Sequence, residues 1–296
     1  MEKKQKYAVI SLSGGMDSST LLLRLLSEGY QCTALSFDYG QKHRIELQCA
    51  TDLVNYININ SEVTVQELEG FDITEKKFPP VTHQIIKLDG LAQLLNSSLV
   101  EGGDEVPEGH YENENMKATV VPNRNMIFSS LVQSVALSIA TKNNTKCVIA
   151  LGLHSGDHAV YPDTTEQFRQ SCLETFRIGN WESHLVDYYA PYMETDKFGI
   201  LQDGEKCCEQ LGLDFDEVYK RTNTSYKPIF IYNSYGNHDN PGKWYSDYKS
   251  ASSVERVEAF IKLGRPDPVL YADETGPVSW ETVRSHVEQV ILNHTK

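Results

Sequence analysis

The stretch 13–19 (Ser-Gly-Gly-Met-Asp-Ser-Ser) constrains the fold of this chain most, because it joins an apolar run to a helix through a glycine turn. The apolar run is 7–10, and an apolar-periodic stretch follows over 20–26, which predicts strand, turn and helix in that order. Glycines let a backbone approach a ligand closely. Asp17 and Ser18 stand where a helix N-cap is expected, and the N–H groups of such a helix start bind phosphate.

Two common nucleotide motifs are excluded for this turn. No Gly-Lys-Ser/Thr follows at the spacing of a Walker A loop, and the glycines do not form the dinucleotide fingerprint. An ordinary glycine-rich turn between strand and helix is the alternative. Five specified positions within six residues favour a phosphate-binding loop over that alternative.

Composition limits the class of protein. With 296 residues and 40% hydrophobic residues, we expect one large α/β domain, or one domain with an appendage. A net charge of −14 argues against a broad nucleic-acid footprint, although a local basic groove stays open. Six cysteines without a CxxC pair indicate free thiols, as in a reducing cytoplasm. No apolar run has transmembrane length, so a cytoplasmic protein without membrane contact is expected.

Strand and helix patterns alternate along the chain. Apolar runs predict strands at 32–37, 147–152 and 186–190, and helical periods lie at 46–54, 125–141, 166–176 and 196–211. The order predicts an α/β fold with a doubly wound, mostly parallel sheet. Residues just past the strand ends, 38–43 and 154–158, should then share one ligand crevice. Between 63 and 119 we expect mainly a surface excursion, with a lid over the substrate as the alternative.

Two cations stand at predicted helix starts. Arg124 follows Pro122 and Asn123, of which Asn123 can cap the helix. A cation is unfavourable at that end of the helix dipole unless an anion lies nearby, so we expect a phosphate or an acidic partner there. Lys197 stands at the start of the predicted helix at 196–211 and could likewise neutralise phosphate charge. A solvated side chain is the alternative for both residues.

The histidines after the third strand leave two interpretations open. His154 and His158 with Asp157 could suggest a metal site. Without further ligands such a cluster more often forms hydrogen bonds or orients a substrate, and no metal ligand is predicted.

The ordered motifs resemble a known family. Residues 13–19 resemble the SGGxDS pyrophosphate loop of the N-type ATP pyrophosphatase superfamily, whose fold is that of the adenine nucleotide alpha hydrolases. Residues 37–43 (Phe-Asp-Tyr-Gly-Gln-Lys-His) look like the FDYGQ[RK]H signature of the 7-cyano-7-deazaguanine synthases, the QueC family. Stretches 121–128, 152–163 and 190–197 resemble further QueC motifs in the same order. The resemblance spans roughly 7–265.

The resemblance implies an ATP-dependent ligase that uses Mg²⁺. It would adenylate the carboxylate of 7-carboxy-7-deazaguanine and pass it to ammonia, giving the amide and then the nitrile. The implied catalytic residues are Asp17, Arg124 and Lys197. The implied ATP-binding residues are Ser11, Leu12, Ser13, Gly14, Gly15, Met16, Asp17, Ser18, Ser19, Phe37, Tyr39, Gln41 and His43. The implied substrate residues are Asn123, Arg124, Gly152, His154, Asp157, Tyr161 and Asp163. The family continues Cys-Arg after that last Asp, where this chain has Thr164 and Thr165, which puts the arginine's contacts in doubt.

The sequence departs from the family after residue 220. The related synthases carry four zinc cysteines, and here the corresponding positions hold Ser225, Asp247, Ser250 and Ser253. Serine does not replace thiolate as an ordinary zinc ligand, so zinc is predicted to be absent. We therefore expect an ATP pyrophosphatase domain over 1–220 and a helical C-terminal region over 221–296 that replaces the zinc segment.

The loss of the zinc cysteines leaves other functions open. The activated acyl group could pass to a protein or peptide amine, as proposed for QueC-like enzymes of bacterial antiviral defence. A non-catalytic nucleotide-binding partner is a third interpretation, which the intact loop argues against. Aromatic residues over 228–246 would pack in place of the metal, or form a partner surface. The amphipathic stretch from Ser279 predicts a helix that docks on its own domain, with a homodimer as the alternative.

Overall fold

The computed structural model describes residues 5–66, 72–109, 114–154, 161–232 and 242–294. Its strands are β1 (Lys6–Ser11), β2 (Tyr30–Asp38), β3 (Glu62–Gln66), β4 (Asp72–Lys76), β5 (Thr82–Lys87), β6 (Cys147–Ala150), β7 (Val186–Tyr189), β8 (Ile229–Tyr232), β9 (Gly242–Tyr245), β10 (Tyr271–Asp273) and β11 (Gly276–Val278). Its α-helices are α1 (Met16–Ser27), α2 (Ile45–Ile59), α3 (Arg124–Lys142), α4 (Glu166–Gly179), α5 (Lys197–Leu211), α6 (Phe215–Tyr219), α7 (Ala251–Leu263) and α8 (Trp280–His294).

The central sheet has five parallel strands in the order β5-β2-β1-β6-β7. Ile10 of β1 pairs with Ala34 of β2 on one side and with Ala150 of β6 on the other. From β1 the chain winds outward through β2 on one side and through β6 on the other, so the order reverses between β1 and β6. This confirms the predicted doubly wound α/β fold. A ligand crevice is expected beyond the carboxyl ends of β1 and β6.

Helices cover both faces of the sheet. Successive residues of a strand point to opposite faces, and β1 shows this plainly: Ala8 and Ile10 pack with α1, α2 and α5, while Val9 packs with α3 and α4. All three side chains are fully buried. The continuous apolar run of β1 therefore reflects two cores, one on each face.

The edge strand β5 was not predicted from the sequence. It pairs with β2 in parallel, but its sequence is Thr-His-Gln-Ile-Ile-Lys and four of its six side chains are exposed. An exposed edge strand needs no apolar run, which explains why the pattern did not predict it. The two-stranded pairs β3–β4, β8–β9 and β10–β11 were missed as well.

Part of the stretch 63–119 is anchored in the core, so the expectation of a surface excursion is wrong there. Leu99, Val100 and Val106 are buried against the α3 face of the sheet. The Lys42 ammonium donates hydrogen bonds to the backbone oxygens of Gly103 and Asp104, each at 2.7 Å. These contacts tie the stretch to the turn that follows β2.

Two helix starts differ from their expected capping. Gly15 is the N-cap of α1 and no side chain caps it, so the prediction that Asp17 and Ser18 serve as caps is wrong. Both residues lie inside the helix instead. α3 begins at Arg124, and Asn123 precedes it in the left-handed region (φ 59°) without a capping hydrogen bond from its side chain.

The C-terminal residues pack directly on the α/β core. Ala259 and Phe260 of α7 are buried in the same cluster as α1 and α5. Helix α8 docks on α7 through Val283 and Val287, as the amphipathic pattern predicted, and Ser279 accepts a hydrogen bond from the Thr282 amide at its start. Among the described helices, none is both long enough and apolar enough to span a bilayer.

Candidate functional site

A cavity of about 220 Å³ lies at the carboxyl ends of β1, β2 and β6. The residues that line it come from the stretch after β1, the turn after β2, the start of α3 and the segment after β6, joined by residues 161–164, Lys197, residues 223–226 and Ser252. This is the edge of the sheet at which the strand order reverses. The fold therefore places the predicted loop where a doubly wound sheet binds its ligand.

The glycine loop is held in one conformation by its own hydroxyls and by neighbouring backbone. Ser18 Oγ accepts a hydrogen bond from the Ser13 amide (3.2 Å), and Ser13 Oγ accepts one from the Gly15 amide (3.2 Å). Gly14 has φ +87°, and a Cβ there would lie 2.1 Å from the backbone oxygen of Glu46. A Cβ on Gly152 would lie 3.0 Å from the Ser18 amide nitrogen. Only glycine permits both close approaches.

Asp17 lies between two basic side chains at the start of α1. Its Oδ2 is 3.7 Å from Lys197 Nζ and 3.9 Å from His154 Nε2. Lys197 also donates to Glu255 Oε2 at 2.6 Å and is almost completely buried. Within the described residues, the buried Asp17 Oδ1 accepts no hydrogen bond. Buried polar atoms are normally paired, and a carboxylate oxygen beside a phosphate loop is a ligand that Mg²⁺ prefers. The residues present thus fit a magnesium ion.

Arg124 places a second positive charge on the cavity wall. Burial disfavours its charged form, but Tyr39, Tyr226 and Tyr161 around it, with a hydrogen bond to Tyr39, raise the pKa of Arg124 above its usual value. No carboxylate of the described ranges forms an ion pair with Arg124. A buried cation without a carboxylate partner favours an anionic ligand.

The turn after β2 positions His43. Gln41 donates to the Phe37 backbone oxygen (2.9 Å) and to Glu46 Oε1 (3.0 Å). Glu46 Oε2 is in turn 3.3 Å from His43 Nε2. The other ring nitrogen, Nδ1, is buried and lacks a hydrogen-bond partner in the part of the chain that the structure describes. His43 lines the cavity, so this nitrogen can bind a polar ligand atom.

Aromatic rings form one wall of the cavity. Phe37 and Phe128 stack with their ring centroids 4.1 Å apart and their planes at 10°. Tyr39 lies 5.5 Å from Phe128, centroid to centroid. The Tyr161 hydroxyl hydrogen-bonds to Thr119 Oγ1 at 2.6 Å. Flat aromatic surfaces of this kind suit a planar ligand ring.

Most of the predicted residues meet at this cavity. Those that line it are Ser11, Leu12, Ser13, Gly15, Asp17, Ser18, Phe37, Tyr39, His43, Arg124, Gly152, Tyr161 and Lys197. The predicted residues outside the lining are Gly14, Met16, Ser19, Gln41, Asn123, His154 and Asp163. Gly14 and Gln41 shape the loop and the turn, and Met16 and Ser19 are buried in α1. Asp157 lies outside the described residues.

Sequence reasoning missed several residues of the cavity. Asn223 and Thr224 touch the loop: the Asn223 amide donates to the Gly14 oxygen (2.9 Å), and Thr224 Oγ1 accepts from the Met16 amide (3.4 Å). Tyr226 and Ser252 line the wall. A polar run at 222–225 was the available signal for Asn223 and Thr224. Nothing in the sequence pattern marks Ser252.

A second, wider groove opens beside the cavity. It runs between α2 and the β8–β9 pair, and its lining includes Tyr56, Lys243 and Trp244. Asn223 lines both the groove and the cavity. A ligand in the groove would therefore lie next to the cavity. In the described ranges, no group of three His, Cys, Asp or Glu side chains is arranged to hold a metal ion.

Comparison with known proteins yields one consistent result. The family described as "Queuosine biosynthesis protein QueC" matches residues 7–233. "7-cyano-7-deazaguanine synthase 1" of Colwellia psychrerythraea is 36% identical over 263 residues, covering 89% of this chain and 97% of the relative. "7-cyano-7-deazaguanine synthase 2" of the same organism is 38% identical over 268 residues, covering 90% and 99%. The Hahella chejuensis "7-cyano-7-deazaguanine synthase" is 38% identical over 264 residues, covering 89% and 92%.

Proposed function

From the premise that this chain belongs to the QueC family, we propose that it is an ATP-dependent ligase acting on a deazaguanine carboxylate. It adenylates the carboxylate of 7-carboxy-7-deazaguanine and transfers the acyl group to nitrogen. With ammonia the first product is the amide, and a second ATP converts it to the nitrile, 7-cyano-7-deazaguanine. The names of the relatives support this product.

One observation carries the proposal: a phosphate loop and the cation of Arg124 face the same cavity. Adenylation brings two anions together, a carboxylate and a triphosphate. An enzyme that joins them must offset their repulsion with positive charge and oriented N–H groups. The loop supplies oriented amides at a helix start, and Lys197 and Arg124 supply the charges.

The reaction makes one bond and breaks one in its first step. A carboxylate oxygen attacks the α-phosphorus of ATP, and the bond from that phosphorus to the bridging oxygen breaks, so that pyrophosphate leaves. The loop at 13–18 and Lys197 hold the departing pyrophosphate. Asp17 Oδ1 would hold Mg²⁺, which would supply positive charge to the phosphates. The amine nitrogen then attacks the acyl carbon, and AMP leaves.

The aromatic wall holds the deazapurine in this proposal. Phe37, Tyr39 and Phe128 offer flat surfaces to the bicyclic ring. Gly152 and Tyr161 also line the cavity. Excluding water here protects the acyl adenylate from hydrolysis.

The groove beside the cavity favours one second candidate. The activated acyl group would pass to a protein or peptide amine, in a bacterial antiviral defence system. The groove could guide an extended peptide toward Asn223, since this residue borders both spaces. Its exposed Trp244 and its Lys243 offer an apolar and a cationic contact to such a peptide.

Product analysis separates these functions. The enzyme is incubated with ATP, Mg²⁺ and the carboxylate, either with ammonia or with a peptide amine, and the products are identified by mass spectrometry. The main proposal predicts amide and nitrile with ammonia alone. A deazaguanine–peptide adduct without nitrile would favour conjugation. Absence of carboxylate-dependent AMP and pyrophosphate would indicate a non-catalytic binder. Asp17→Ala, which should abolish AMP release, is the negative control.

A further inference from the structure

Four buried side chains after residue 220 form a hydrogen-bonded cluster around one carboxylate oxygen. Asp247 Oδ1 accepts hydrogen bonds from Ser225 Oγ at 2.5 Å, Ser250 Oγ at 2.7 Å and Ser253 Oγ at 3.0 Å. All four residues are at most 5% exposed. These are the four positions at which the family resemblance expects zinc cysteines. The side chains converge as metal ligands do, but on an anion.

Backbone groups complete the cluster. The other carboxylate oxygen, Asp247 Oδ2, accepts from the amides of Lys249 (2.8 Å) and Ser250 (2.5 Å). Ser225 Oγ accepts from the amides of Asp247 (3.1 Å) and Lys227 (3.2 Å). The cluster therefore joins two chain segments that are 22 residues apart in sequence.

The polarity of this cluster is opposite to that of a zinc site. A metal ion is a central positive charge surrounded by lone pairs. Here the centre is a carboxylate, and three hydroxyls and two amides direct their hydrogens toward it. Such bonds to a charged acceptor are stronger than neutral ones. The residues present do not fit zinc, because the hydroxyl lone pairs do not point to a common centre.

The cluster also reaches the phosphate loop. Asn223 Nδ2 donates to the backbone oxygen of Ser225 at 3.0 Å, and the Asn223 backbone amide donates to the backbone oxygen of Gly14 at 2.9 Å. Thr224, next to Ser225, accepts from the Met16 amide. Holding Ser225 in place therefore also holds Asn223 and Thr224, which contact the glycine loop.

We infer that Asp247 and its three serines form a metal-free clip that replaces the zinc site and positions the phosphate loop. Asp247 is a positioning residue: it acts on ATP through Ser225, Asn223 and Gly14. That the cluster holds the fold in place of zinc follows from its hydrogen bonds alone. The ATP part rests on the proposed function.

The first test needs only the wild-type chain. The zinc content of protein purified with zinc in the medium is measured by elemental analysis, and Tm is measured with and without a strong chelator. The clip predicts well below one zinc per chain and the same Tm in both conditions. One zinc per chain, together with a lower Tm in chelator, would overturn the inference.

The second test removes the central charge. Asp247→Asn should lower Tm by about 5–10 °C, because three buried serine hydroxyls lose the charged acceptor of their hydrogen bonds. It should also weaken ATP binding at least tenfold by calorimetry. Asp104→Asn, at an exposed carboxylate, is the matched control and should change neither. If the folded Asp247→Asn variant binds ATP as the wild type does, the positioning role is refuted.

A rebuilt metal site provides the rescue. The variant carrying Ser225→Cys, Asp247→Cys, Ser250→Cys and Ser253→Cys should bind about one zinc per chain. With zinc, its Tm and ATP affinity should exceed those of Asp247→Asn. If Asp247→Asn does not fold, Ser253→Ala takes its place, with a smaller expected loss of Tm. A wild-type chain that binds no ATP would refute the proposed function. The zinc content and Tm measurements would still test the metal-free clip.

Discussion

At the scale of single residues, the cavity is a balance of buried charges. Lys197 lies 2.6 Å from Glu255 Oε2 and 3.7 Å from Asp17 Oδ2, so its ammonium is held in place between two carboxylates. Arg124 lies beside three tyrosines and donates a hydrogen bond to Asn125 Oδ1, and it pairs with no carboxylate among the described residues. Asp17 Oδ1 has no hydrogen-bond partner in the part of the chain that the structure describes, and we propose that it binds a cation. In the proposed function these groups would together bind a magnesium triphosphate, which carries both signs of charge.

Lys197 offers the sharpest single-residue prediction. Lys197→Met should lower kcat/KM for carboxylate-dependent AMP release by about 100-fold or more, because one preorganised group on the developing charge is lost. The rate is followed as pyrophosphate release. Lys206→Met, at an exposed lysine of the same helix, should retain the wild-type rate. Equal rates in both variants would remove Lys197 from the catalytic machinery.

At the scale of elements, two close backbone approaches fix the phosphate loop. The Gly14 backbone packs on α2, and Gly152, just after β6, packs on the start of α1. The loop is therefore formed before a ligand binds, so little conformational entropy is lost on binding.

Gly152→Ala tests this preformed loop. The added Cβ would meet the Ser18 amide nitrogen at 3.0 Å and displace the start of α1. We expect ATP affinity by calorimetry to fall about tenfold, equivalent to about 1.4 kcal/mol. Gly179→Ala is the matched control, because open space surrounds that position at the end of α4. Unchanged ATP affinity in Gly152→Ala would contradict the preformed cradle.

Sequence patterns predicted the elements whose burial is complete on both faces. The run at 7–10 is apolar because Ala8, Val9 and Ile10 serve two cores. β5 escaped prediction, since an edge strand with exposed side chains has no such run. The N-cap of α1 was assigned wrongly because Ser18 bonds to the Ser13 amide and hydroxyl instead of capping the helix.

At the scale of the whole molecule, the C-terminal residues complete the site. Residues predicted from motifs near strand ends lie together in the cavity, because parallel strands end at one edge. Asn223, Thr224 and Ser252 come from the last quarter of the chain. Ser252 lies on α7 and reaches the cavity through tertiary packing, which local patterns do not show. Asn223 and Thr224 follow α6 and contact the loop directly.

The buried pair Arg256–Asp267 holds this assembly together. Arg256 Nε and Nη2 each donate to one Asp267 oxygen, at 2.6 and 2.9 Å, and Nη1 donates to Thr222 Oγ1 at 2.7 Å. Burial works against the charge, but the adjacent Asp267 carboxylate raises the pKa of Arg256. The pair connects α7 to the segment that braces the phosphate loop.

Asp267→Asn should destabilise the protein strongly. Leaving Arg256 as an uncompensated buried charge costs about 3–5 kcal/mol, measured as the free energy of unfolding in denaturant. Asp216→Asn breaks the exposed pair with Arg265 and should cost at most about 1 kcal/mol. Equal losses in the two variants would mean that Arg256–Asp267 does not hold α7 to the segment at 222–225.

The most direct test of the account follows one oxygen atom. The carboxylate substrate is labelled with oxygen-18, and the nucleotide product is analysed by mass spectrometry after turnover with ammonia. Attack of the carboxylate on the α-phosphorus predicts AMP that carries one labelled oxygen. Unlabelled AMP, or label found in inorganic phosphate beside ADP, would contradict an adenylating ligase.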